Sequence, residues 1–181
     1  AAGGNPCQVQ SGEGRVRGIE LEGRITPREG FSVIGAASHM DSEVTRGDAT
    51  VQGKQLAMVP EWTASLWADY TIGHGALAGL GLAAGVRHTG GSYGDSANLY
   101  AIPAYTLFDA ALRYDAGSFD GVSAQFALNL GNLADKTYVS TCGGVSSCYY
   151  GTGRTLTATA RFSWWGHACA GPRGGWCCWP A

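Results

Sequence analysis

The stretch from Asn129 to Trp164 constrains the fold more than any other part of this chain. Read back from Trp164, every second residue is apolar: Trp164, Phe162, Ala160, Ala158 and Leu156. Between them stand Ser163, Arg161, Thr159, Thr157 and Thr155. A period of two sends successive side chains to opposite faces of an extended strand. The length and the aromatic end of this run suit a membrane-crossing barrel strand, which takes about nine to eleven tilted residues.

The same pattern recurs upstream. Ile19, Leu21 and Ile25 alternate with Glu20, Glu22 and Arg24 within residues 15–25. Phe31, Val33, Gly35 and Ala37 share one face of residues 31–40. Pro60 opens the next run, where proline is tolerated, and Trp62, Ala64, Leu66, Ala68 and Tyr70 form its apolar face. Leu80, Leu82, Ala84 and Val86 follow, then Phe108, Ala110, Leu112 and Tyr114, then Val122, Ala124, Phe126, Leu128 and Leu130. With the last run this predicts seven strands. Short turns are expected at 26–30, 72–79 and 115–121, and long loops at 41–57, 89–104 and 131–152. Alternating short and long connections are the signature of an outer-membrane barrel, with periplasmic turns and extracellular loops. Tyr70, Tyr114 and Trp164 then end their strands at the periplasmic interface, where an apolar ring with a polar edge is favoured. A soluble sandwich predicts no such regular asymmetry.

Composition agrees. Charged residues make up 14% of the chain, against roughly 25% in ordinary soluble domains. There are 29 glycines, and no run approaches the roughly 20 apolar residues of a transmembrane helix. A net charge of −2 offers no basic surface for nucleic acid. Cys142 and Cys148 bracket GGVSS, a spacing that suits a disulfide closing a small loop better than a zinc knuckle, and implies an oxidising compartment. Seven strands fall short of the roughly eight of the smallest single-chain barrels, so both sheet edges would be open, which lipid does not tolerate. The chain therefore reads as part of a larger barrel. It begins with a loop-like segment (1–14) and shows no signal peptide, as expected of a fragment or a mature form.

Residues 14–164 resemble the end of a TonB-dependent siderophore receptor of the ferrichrome, or ferric-hydroxamate, branch. The resemblance is carried by RVRGIELEGR (15–24), VPEWTASLWADY (59–70), GLGLAAGVRHTGGSYGD (79–95), YTLFDAALRYD (105–115), LNLGNLADKTYVSTC (128–142) and CYYGTGRTLTATARFSW (148–164). The NL-x-D-K-x-Y pattern at Asn132, Leu133, Asp135, Lys136 and Tyr138 is shared across the superfamily, and the cysteine pair favours the ferrichrome branch. The resemblance implies a 22-stranded barrel with an amino-terminal plug, which binds a ferric siderophore outside the cell and imports it with TonB–ExbB–ExbD. Plug, TonB-contacting segment and about fifteen strands are then expected outside this chain. Outer-membrane lipid and the barrel assembly machinery are the other implied partners. No cofactor is expected, since iron arrives already saturated by its siderophore. Tyr93, Tyr100, Tyr149 and Tyr150 in the external loops are the candidate ligand contacts. Relatives of this branch can place an aromatic directly after the first loop cysteine. Gly143 stands there in this chain.

The tail, 165–181, departs from the family: Trp164 looks like the natural stop, and the added residues carry no period. A read-through extension explains them more simply than a metal site built from His167, Cys169, Cys177 and Cys178. The remaining signals are weak. Arg46-Gly47-Asp48 is a short tripeptide in a polar loop, Gly79, Gly81 and Gly85 miss the nucleotide-loop spacing, and the histidines His39, His74 and His88 share no ligand spacing. No nucleophile–base set emerges, so catalysis is not expected. The alternatives are a passive porin-like barrel and a non-functional truncated remnant.

Overall fold

The computed structural model describes residues 12–119, 121–144 and 147–164. Of the loop expected at residues 1–14, residues 1–11 lie outside the described residues, as does the tail 165–181 with its four-residue metal alternative, while Glu13 and Gly14 are not loop but the paired start of the first strand.

Seven long strands form one antiparallel sheet in simple up-and-down order. They are β1 (Glu13–Arg28), β2 (Phe31–Arg46), β3 (Trp62–Thr71), β4 (Leu80–Thr89), β7 (Tyr105–Phe119), β8 (Val122–Gly131) and β11 (Thr155–Trp164). Two small hairpins stand apart from this sheet, each within a long loop. One pairs β5 (Ser92–Tyr93) with β6 (Ala101–Ile102), the other β9 (Val139–Cys142) with β10 (Cys148–Tyr150).

Register turns seven separate alternations into one two-faced surface. Directly opposed residues in an antiparallel pair share a face. Ile25, Val33, Ala68, Ala84, Ala110, Leu130 and Leu156 follow one another as direct partners across all seven strands. On the opposite face Ser32, Asp69, Ala83, Ala111, Asn129 and Thr157 form a row in the same way. That polar face carries an Arg113–Asp69 ion pair and a Gln125 to Asp115 hydrogen bond of 3.2 Å. A slip of one residue would turn both rows inside out, so the pattern fixes the pairing. Among the described residues no large side chain is fully buried. Two exposed faces of unlike polarity are what a barrel wall has, lipid on one side and a watery lumen on the other.

The structure corrects several expected boundaries. β1 continues through 26–28, because Pro27 falls in a register shift between Ile25 and Arg28, where no ladder donor is needed. β7 likewise continues through 115–119. Its turn-like residues make a bulge between Asp115 and Ser118, with Gly117 at a φ of 71° and its N–H donated to Asp115 Oδ1 at 2.9 Å. Residues 41–46 are strand rather than loop: their polarity reflects water on both faces, and their pairing with β1 continues to Glu13. Arg15 and Glu43 meet there at 2.6 Å. β3 begins at Trp62, so Pro60 precedes the strand instead of opening it.

Candidate functional site

The three long connections, 47–61, 90–104 and 132–154, gather at one end of the sheet. Backbone and amide groups join them. Asn98 Oδ1 accepts from the Gln55 N–H at 2.8 Å, and Asn98 Nδ2 donates to the Gln55 carbonyl at 2.9 Å. Met58 N–H donates to the Tyr93 carbonyl at 2.7 Å, and Gly144 N–H to the Gly94 carbonyl at 3.0 Å. Gly94 is buried against Cys142, so closely that an added Cβ would lie 2.6 Å from the cysteine Cβ. Cys142 is bonded to Cys148, which closes the β9–β10 hairpin.

Asp95 organises the loop 90–104. Its carboxylate accepts from the Ala97 N–H at 3.1 Å and the Tyr100 N–H at 2.8 Å. Desolvation pushes its pKa up, but donation from the N–H groups of Tyr100, Leu99, Ala97 and Asp95 itself outweighs this and leaves it below the usual carboxylate range.

The four candidate tyrosines are all carried by this loop group. Tyr93 lies half-buried in β5 and Tyr100 is exposed just before β6. Tyr149 and Tyr150 are exposed on β10 at 63% and 73%, so both have area free to contact a ligand. Concavities of about 280 to 540 Å³ mark the wall of the sheet among the described residues. One of about 540 Å³ lies on the polar face at the short-turn end, among Asp69, Arg113, Asp115, Gln125 and Arg161.

Sequence reading missed a second group, at the rim where the polar face meets the loops. Arg87 on β4 reaches Asp109 on β7 through Nε at 2.6 Å and Nη2 at 3.0 Å. Tyr105, two positions along the same face from Leu107, the residue opposite Arg87, packs its ring 4.2 Å from that of Tyr138. The signal was available only through register: Arg87 and Asp109 are unremarkable until β4 and β7 are aligned.

The motif beginning at Asn132 has a structural role. Asn132 is buried with a φ of 50°, and its amide holds both ends of the last loop. It accepts from the Lys136 N–H at 2.9 Å and donates to the carbonyls of Lys136 at 2.9 Å and Thr152 at 3.2 Å. Asp135 Oδ1 accepts from the Arg154 N–H at 2.9 Å, and Tyr138 lies over Gly151.

At the other end of the sheet Tyr70, Tyr114 and Trp164 all stand on the apolar face. Tyr70 neighbours Phe31 at 6.5 Å between ring centroids and lies under the Arg28 guanidinium at 5.1 Å. Tyr114 opposes Phe126, and Trp164 opposes Val122. Among the described residues no three His, Cys, Asp or Glu side chains are grouped to hold a metal.

Residues 1–133 match a family described as TonB dependent receptor-like, beta-barrel. The chain belongs to this family. It is 41% identical over 159 residues to the ferrichrome outer membrane transporter/phage receptor of Escherichia coli K12, covering 88% of this chain and 21% of the relative. It is 38% identical over 160 residues to the ferrioxamine receptor of Yersinia enterocolitica, covering 85% and 21%. Among solved structures it superposes on the ferric preacinetobactin receptor BauA of Acinetobacter baumannii with a TM-score of 0.75 at 25% identity, covering 85% of this chain and 23% of that one. The chain thus spans about a fifth of the length of its curated relatives. As part of a TonB-dependent receptor barrel it belongs to an outer-membrane protein of the Gram-negative type, a family of receptors and not of enzymes. The two-faced sheet is the carboxyl-terminal part of such a barrel wall, with the long loops extracellular and the short turns periplasmic.

Proposed function

We propose that this chain supplies the last strands and three external loops of a receptor that takes up ferric siderophores of the hydroxamate class. The observation that carries the class is the pair of relatives named for ferrichrome and ferrioxamine, whose similarity runs through all three loops. The hydrogen-bonded loop group supports capture at the extracellular mouth. A saturated ferric complex offers only its organic shell, so aromatic and hydrogen-bonding side chains suffice to hold it. Tyr100, Tyr149 and Tyr150 are exposed for that contact, and Tyr93 holds the loop that carries Tyr100. TonB–ExbB–ExbD energises release through parts of the receptor beyond this segment. Tyr70, Tyr114 and Trp164 sit at the periplasmic lipid interface, and the strand ending at Trp164 is what the barrel assembly machinery engages.

The test is iron uptake by a receptor-deficient strain carrying the full gene that contains this segment. Labelled ferrichrome and ferrioxamine B enter only with the gene and only with functional TonB. Uptake confined to a ferric catecholate would overturn the hydroxamate assignment, and TonB-independent leakage of small solutes would point to a passive channel.

A further inference from the structure

We propose that Asp109 is a positioning residue, one carboxylate that fixes the base of the last external loop to the barrel wall. Its side chain is only 13% exposed, while that of Arg87 is 57% exposed toward the lumen. Arg87 takes both oxygens in a fork, through Nε at 2.6 Å and Nη2 at 3.0 Å. The fork sets the plane of the carboxylate and leaves a lone pair of Oδ1 facing the Asn132 N–H, which donates at 3.0 Å. One residue further, Leu133 N–H donates to the Phe108 carbonyl at 2.8 Å. The chain is thus held at two successive points as it leaves β8. Asn132 transmits that hold: its amide binds Lys136 at the start of the loop and Thr152 at its end. A guanidinium on the lumenal wall, a carboxylate and a buried amide therefore form one connected path to both roots of the loop that displays Tyr149 and Tyr150. The consequence for ligand capture rests on the receptor reading; the clamp itself does not.

Trypsin reports on the clamp directly, because Lys136 and Arg154 lie within it and cleavage after either requires local opening. The substrate is outer-membrane vesicles carrying the full receptor, with folding checked by heat-modifiable migration. Asp109→Ala is expected to speed cleavage about tenfold or more, the change that loss of a charge-assisted hydrogen bond produces. Asp109→Asn keeps an oxygen toward the Asn132 N–H and is expected to restore most of the protection. If Asp109→Ala does not assemble, Arg87→Gln combined with Asp109→Ala leaves no lone charge and carries the same test. A folded Asp109→Ala receptor cleaved at the wild-type rate would overturn the proposal, as would Asp109→Asn cleaved as fast as Asp109→Ala. Ferrichrome binding, measured on the same vesicles, should weaken in Asp109→Ala and recover in Asp109→Asn. A wild-type receptor that binds neither ferrichrome nor ferrioxamine B would defeat the hydroxamate reading and leave cleavage to decide the role of Asp109.

Discussion

A methyl group added at Gly94 would meet a neighbour that cannot step aside, since the Cβ of Cys142 is held both by β9 pairing and by its disulfide. Gly94→Ala should therefore open the contact between two external loops at a cost of about 1–3 kcal/mol, with the barrel unaffected. Faster hydrogen exchange confined to residues 92–102 and 142–144 is the expected readout. The nearby carboxylate of Asp95 gives a pH dependence of definite sign. A depressed folded-state pKa means that the ionised form is favoured in the folded loop. The stabilisation is full above the ordinary carboxylate pKa of about 3.9 and is lost as pH falls through the lower folded value. Protection of the Tyr100 amide, which donates to this carboxylate, should hold from neutral pH to about 4 and decline only in stronger acid. Asp95→Asn should abolish that dependence.

At the scale of elements, the strands were legible and their interruptions were not. Alternation survives where a strand separates two unlike solvents and fades where β1 and β2 run on into water on both faces, and within the alternating part cross-strand register follows with little freedom. Bulges read as turns because a bulge and a turn draw on the same residues; Pro27 and Gly117 are examples. The two-residue strands β5 and β6 leave no periodic trace at all. The site was legible only in part for a related reason. Loop tyrosines can be listed from sequence, but Arg87, Asp109 and Tyr105 acquire meaning only when neighbouring strands are aligned. The two faces also make a paired prediction. Ala84 sits in the middle of the apolar face and Asn129 on the lumenal one. Ala84→Arg should destabilise the assembled barrel by about 2–4 kcal/mol, and Asn129→Arg by less than about 1 kcal/mol. Urea unfolding of the full receptor in lipid vesicles, followed by loss of the heat-modifiable band, measures both.

For the whole molecule the decisive feature is that the sheet has two ends. Among the described residues β1 pairs only with β2, and β11 only with β8. Along both outer strands every residue is exposed. Each presents a row of backbone donors and acceptors that hydrocarbon cannot satisfy. Residues 12–164 expressed alone should therefore give edge-to-edge oligomers in detergent and no heat-modifiable monomer, whereas the same residues within a full receptor should give one. Size-exclusion chromatography with unheated gel electrophoresis distinguishes the two states, and a stable fragment monomer would count against the open-sheet reading.

The β1–β2 hairpin rises past the point where its neighbours turn away. Beyond the Ile19–His39 pair the face that was apolar becomes charged, with Arg17 opposite Asp41 and Arg15 opposite Glu43. From there to Glu13 the ribbon extends roughly 20 Å, at about 3.4 Å per residue. That charged length lies beyond the apolar band on the side of the long loops, so it should be open to reagents added to intact bacteria. Loop 47–61 folds back on this ribbon, the Val44 N–H donating to the Lys54 carbonyl at 2.8 Å, so a probe placed there would report on that loop as well as on the number of receptors.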